Sequence, residues 1–66
     1  MHLDVLVGRD ADGVPYGYPE RVSRVRAKAA VLIDAGATQT RLEESPEHDR
    51  FAIGLLDPEG NELCLV

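Results

Sequence analysis

The chain has 66 residues, of which 12 are acidic and 7 are lysine or arginine, giving a net charge of −5. That is room for a single small domain over residues 1–66, with no basic field to attract nucleic acid. Hydrophobic residues at 44% and charged residues at 29% are the balance of a folded chain with a core.

No apolar run approaches the roughly 20 residues that cross a bilayer. The opening Met1-His2-Leu3-Asp4 lacks the basic and apolar regions of a secretion signal, so no membrane partner is expected. Cys64 is the only cysteine. An internal disulfide is therefore excluded, and a reducing, cytoplasmic setting is expected. A domain this small buries only about 60% of its unfolded surface, so a second subunit or a metal is expected to supply the missing stability.

His2 to Val7 alternates with period two, placing Leu3, Val5 and Val7 on one face and His2, Asp4 and Leu6 on the other. This predicts a strand. Gly8 to Tyr18 holds three glycines, a proline and two aspartates and reads as a loop. Its length fits a functional or mobile segment, in which Tyr16 and Tyr18 would form part of a cavity rim or a partner contact. Pro19 restarts order as a first-turn proline, and Val22, Val25, Ala29, Leu32 and Ile33 follow at helical spacing until Gly36. The result is an amphipathic helix of about 17 residues. Glu20, Arg21, Arg24 and Lys28 occupy its solvated face, with Glu20 and Arg24 in an i, i+4 pair.

Ala37 to Glu43 reads as an edge strand in which Thr38, Thr40 and Leu42 alternate with Gln39 and Arg41. After the polar turn Ser45 to Asp49, the segment Arg50 to Leu56 sets Phe51, Ile53 and Leu55 on one face. The small Ala52 and Gly54 line the other, as a cavity wall would. Asp57-Pro58-Glu59-Gly60-Asn61 is a tight turn, and Glu62 to Val66 is the returning strand. The order strand, helix, strand, strand, strand predicts an α+β module of βαβββ type. Its last three strands form an antiparallel meander, and one helix covers one face of a four-stranded mixed sheet. With the first strand beside and parallel to the last, the uncovered face carries His2, Asp4 and Leu6 next to Glu62, Cys64 and Val66. An open face of this kind signals a partner.

The start His2-Leu3-Asp4-Val5, the helix exit Asp34-Ala35-Gly36-Ala37-Thr38 and the ending Leu56-Asp57-Pro58-Glu59-Gly60-Asn61-Glu62-Leu63-Cys64-Leu65-Val66 resemble the second half of a glyoxalase-like domain. Such domains belong to the vicinal oxygen chelate superfamily, with lactoylglutathione lyase, bleomycin-binding resistance proteins and extradiol dioxygenases. The resemblance implies paired βαβββ modules, each contributing half of a curved barrel around a small-molecule cavity, and this chain matches one module. It further implies that His2 and Glu62 are metal ligands for a divalent ion such as Zn²⁺, Ni²⁺, Fe²⁺ or Mn²⁺. By the same resemblance Glu62 would double as the catalytic carboxylate in lyase, isomerase or dioxygenase chemistry. Asp4, Leu6, Ala52, Gly54 and Cys64 would face the cavity.

Two protein ligands are too few for such an ion. A homodimer would supply two histidines and two glutamates, and a separate complementary module is the other source. The rival readings are a metal-free drug- or ligand-binding protein similar to the bleomycin-binding members, and a structural half that completes another chain's barrel. For Glu62 the plain alternative is an ion pair with Arg50, and for Asp4 a solvated carboxylate. His48 reads as a surface residue. Asp10-Ala11-Asp12-Gly13 fails the spacing of a calcium loop. No serine sits in a glycine-flanked elbow, and Cys64 falls mid-strand as a small apolar residue.

Overall fold

The computed structural model describes residues 2–66, and of His2 the backbone alone. Five regular elements follow one another: β1 (His2–Val5), α1 (Tyr18–Asp34), β2 (Thr38–Ser45), β3 (Arg50–Leu56) and β4 (Glu62–Leu65), with a single 3-10 turn at Pro46–His48 between β2 and β3. The sheet order is β1-β4-β3-β2. β1 runs parallel to β4, while β2, β3 and β4 form an antiparallel meander. This is the βαβββ module with its four-stranded mixed sheet, and β2 lies at an edge.

The helix begins without a side-chain cap, Gly17 occupying the cap position and Pro19 the first turn, where its missing N–H costs nothing. Glu20 in that turn complements the positive end of the helix dipole. The exit is a Schellman arrangement: the amide of Ala37 donates to the carbonyl of Leu32 at 2.9 Å and that of Gly36 to Ile33 at 3.0 Å. Gly36 holds φ at +112°, and a Cβ there would lie 3.1 Å from Cγ of Pro58. Positive φ and close approach together demand glycine.

Beneath the helix, Val25 and Ala29 pack on Phe51, Ile53, Leu55 and Leu65, with Val5, Val7, Val22 and Leu32 at the margins. Leu65 and Val25 are fully enclosed. Ile33 departs from the helical expectation and stays 41% exposed, because the periodic stripe drifts off the sheet at the last turn. Leu3, on the same sheet side as Val5, is also exposed. β1 is shorter than the alternation from His2 to Val7 implies. The chain nevertheless stays on β4, with the amides of Val7 and Gly8 both donating to the carbonyl of Val66 at 2.8 and 2.9 Å.

β2 departs from its expected alternation. Gln39 pairs with Leu55 and Arg41 with Gly54, so Thr40 is an extra residue in a β-bulge. Past the bulge the faces exchange: Arg41 and Glu43 oppose Gly54 and Ala52, while Leu42 opposes Ile53 on the helix side.

Candidate functional site

The sheet has one face under α1 and one without a helix. The backbone register pairs His2 with Glu62, and on the uncovered face it sets Asp4 beside Cys64 and Cys64 beside Gly54, which in turn opposes Arg41. Strand pairing thus assembles this row from four separate segments of sequence. Ala52 and Gly54 have almost no side chain, and this leaves depth over the middle of the sheet.

Two hollows occupy that face. The larger, about 420 Å³, is bordered by Asp4, Leu6, Ala52, Cys64 and Val66, with Arg41 and Arg50 among its charged walls. The smaller, about 320 Å³, is bordered by Glu62, Gly54, Thr40, Leu63 and Cys64, again with Arg41. Arg41 and Cys64 border both. Of the residues named from sequence, Asp4, Leu6, Ala52 and Cys64 therefore meet at one hollow, and Glu62, Gly54 and Cys64 at its neighbour. The side chain of His2 lies outside the described residues, though its backbone is the register partner of Glu62. Among the described residues no three His, Cys, Asp or Glu side chains converge to hold an ion.

The electrostatics of the larger hollow run against the acidic whole. Arg9, Arg21, Arg41 and Arg50 border it together with Asp4, Glu43 and Asp49. Most of these charges are matched. Arg50 reaches Glu43 at 3.2 Å, not Glu62 across the hairpin. Arg21, expected on the solvated helix face, is instead largely enclosed, binding the Asp49 carboxylate and donating to the Asp49 carbonyl at 3.1 Å. Gly8 permits this crossing, since a Cβ there would come within 2.8 Å of Cγ of Arg21.

Arg9 donates to the neutral Gly13 carbonyl at 3.0 Å, and Arg41 lacks even an oxygen acceptor among the described residues. The Arg41 side chain passes over Gly54, where a Cβ would lie 3.2 Å from Cβ of Arg41, and among the described residues its guanidinium donates only to Sγ of Cys64 at 3.8 Å. Sequence reasoning did not single out Arg41, because the bulge at Thr40 decides its face. The available signal was a glycine in the neighbouring strand, which leaves space for a long side chain to cross.

Tyr16 and Tyr18 border neither hollow. Tyr18 packs edge-on against Phe51, with ring centroids 6.4 Å apart at 86°, and its hydroxyl donates to the carbonyl of Arg50 at 3.4 Å. Loss of solvent around the phenol, with Glu44 nearby, raises its pKa above the usual value. The guanidinium of Arg24 lies 4.1 Å from the Tyr16 ring centre. The aspartate-rich loop satisfies itself: the Asp10 carboxylate accepts from the amides of Asp12 and Val14 at 2.9 and 3.0 Å. His48 is exposed in the 3-10 turn.

The pattern of the family described as glyoxalase-like domain matches residues 1–66. The chain belongs to that family. In this glyoxalase-like domain the hollows therefore lie on the face expected to border the cavity. Neither the curated proteins nor the solved structures give a match to it. No helix among the described residues is long and apolar enough to cross a membrane.

Proposed function

We propose that this glyoxalase-like domain binds a small molecule on its uncovered sheet face and forms half of a closed chamber, a second copy of the chain supplying the other half. One observation carries the reading: four strands converge on a face floored by Ala52, Gly54 and Cys64, where hollows of about 420 and 320 Å³ adjoin. Each lies at the lower end of the range that small-molecule sites commonly have, roughly 300–1,000 Å³. An exposed Leu6 at the border of the larger hollow supports the pairing, since apolar surface at an open site is better covered than wet.

In the metal-dependent form of this reading, His2 and Glu62 hold a divalent ion. One chain offers too few donors, and the two-fold pair offers two imidazoles and two carboxylates, a set suited to Zn²⁺, Ni²⁺, Fe²⁺ or Mn²⁺. Such an ion would supply Lewis-acid polarisation of substrate oxygens, and Glu62 would be the carboxylate that accepts a proton. A metal-free binder is the second reading, favoured by the fact that the larger hollow is bordered without Glu62.

Glu62→Gln separates the two. Native mass spectra with each ion added should show uptake by the wild type and its loss in the variant if the metal reading holds. Equal uptake by both would overturn that reading, and ligand binding undisturbed by the substitution would favour the metal-free one.

A further inference from the structure

Arg41 differs from the other arginines of the chain in what it binds. Every other arginine has an oxygen acceptor within the chain: Arg9 the Gly13 carbonyl at 3.0 Å, Arg21 the Asp49 carboxylate, Arg24 Glu20 at 2.8 Å, Arg26 Glu44 at 3.4 Å and Arg50 Glu43 at 3.2 Å. Among the described residues Arg41 has only the sulfur of Cys64 at 3.8 Å. A thiol is a weak acceptor, and a guanidinium carries five donors in a planar fork. Its position is built in. The bulge at Thr40 turns Arg41 onto the uncovered face, Gly54 clears its path, and it stands at the shared border of both hollows.

We infer that Arg41 is the anchor for the carboxylate of a small organic acid. This rests on the proposed ligand-binding role of the face. The acid would be a monoanion, because Arg41 is the bordering guanidinium without an oxygen acceptor among the described residues, while Arg21 and Arg50 are matched by Asp49 and Glu43 and Arg9 is engaged by the Gly13 carbonyl. A dianionic phosphate would meet Asp4 and Glu43 on the same border. The planar fork matches a carboxylate with two parallel hydrogen bonds. With its acid group on Arg41, the molecule rests its apolar body on Leu6, Ala52 and Val66. Atoms on the far side of the acid group are directed to the hollow that Glu62 borders.

The test is amide-shift titration of the isotope-labelled full chain with benzoate, benzamide and phenyl phosphate, following Arg41 Nε–H and the amides of Ala52, Gly54 and Cys64. Saturable benzoate binding at these positions is expected, with benzamide and phenyl phosphate each weaker. Arg41→Gln should weaken benzoate by about tenfold or more, the scale of a lost charge-assisted hydrogen bond, and leave benzamide unchanged. Arg41→Lys, which keeps the charge, should fall between. Unaltered helix-side amide shifts in both variants show that the fold is kept. Benzoate and benzamide binding equally, or benzoate indifferent to Arg41→Gln, would overturn the anchor while leaving a ligand-binding face. Tighter binding of phenyl phosphate would overturn the carboxylate assignment. If none of the three probes shifts this face, the anchor fails together with the ligand-binding reading.

Discussion

Leu65→Ala tests whether stability resides beneath the helix. Leu65 is fully enclosed on β4, paired with Val5 on one side and Ile53 on the other. The helix presses Val25 and Ala29 into the same cluster. Truncating such a leucine costs about 2–5 kcal/mol, the transfer of the lost carbons plus the cavity they leave. A 66-residue chain at about 0.05–0.15 kcal/mol per residue has only about 3–10 kcal/mol in all. With a urea slope near 1 kcal/mol per molar for a protein this small, the midpoint should fall by about 2 M or more. Val31→Ala is the control. Val31 is 62% exposed on the outer side of α1, and alanine favours helix over valine by a few tenths of a kcal/mol. Its midpoint should stay within about 0.5 M of the parent. Urea unfolding followed by circular dichroism at one fixed protein concentration, since association adds to apparent stability, gives both values. A loss below about 1 kcal/mol for Leu65→Ala, or an equal loss for Val31→Ala, would refute a single core between helix and sheet.

Gly36→Ala should cost about 1–2 kcal/mol in the same assay, because alanine resists positive φ and its Cβ would press on Pro58. Gly8→Ala should cost about 1–3 kcal/mol as an overpacking change, and it should expel Arg21 from Asp49, so that a following Asp49→Ala adds little. The Asp57 carboxylate accepts from the Asn61 side-chain amide at 2.9 Å and from the amides of Asn61 and Glu59 at 2.8 and 2.9 Å. These bonds, the Asn61 side chain first, hold its pKa below the ordinary aspartate value. A depressed pKa stabilises the fold above the unfolded value and is lost as pH falls through the folded one. Asn61→Ala should therefore flatten the acid limb of stability below about pH 4; an unchanged limb would remove this turn from the acid response.

The meander was legible because its signals are local. Alternation in Phe51, Ile53 and Leu55 against Ala52 and Gly54 assigned both faces of β3, and Pro58 with Gly60 marked the hairpin that returns β4. The helix was legible from Pro19 to Gly36 for the same reason. With β1 taken as the neighbour of β4, counting strand directions made the pair parallel, and its register sets His2 beside Glu62. The bulge at Thr40 was not legible, since an extra residue is defined by the partner strand and not by the bulged one. With it went the facing of Arg41. Arg21 was missed on similar grounds: its partner Asp49 is 28 residues away, and helical periodicity placed it on the solvated face.

Sedimentation velocity on the full chain and on Leu6→Arg tests most directly the claim that two uncovered faces close on each other. Leu6 is 64% exposed at the border of the larger hollow, so a charge there would be trapped in the closed chamber. The account predicts a two-chain species for the wild type and a single chain for the variant, with the helical signal retained in both. A wild type that sediments as one chain at every concentration, or a variant that stays paired, would contradict it.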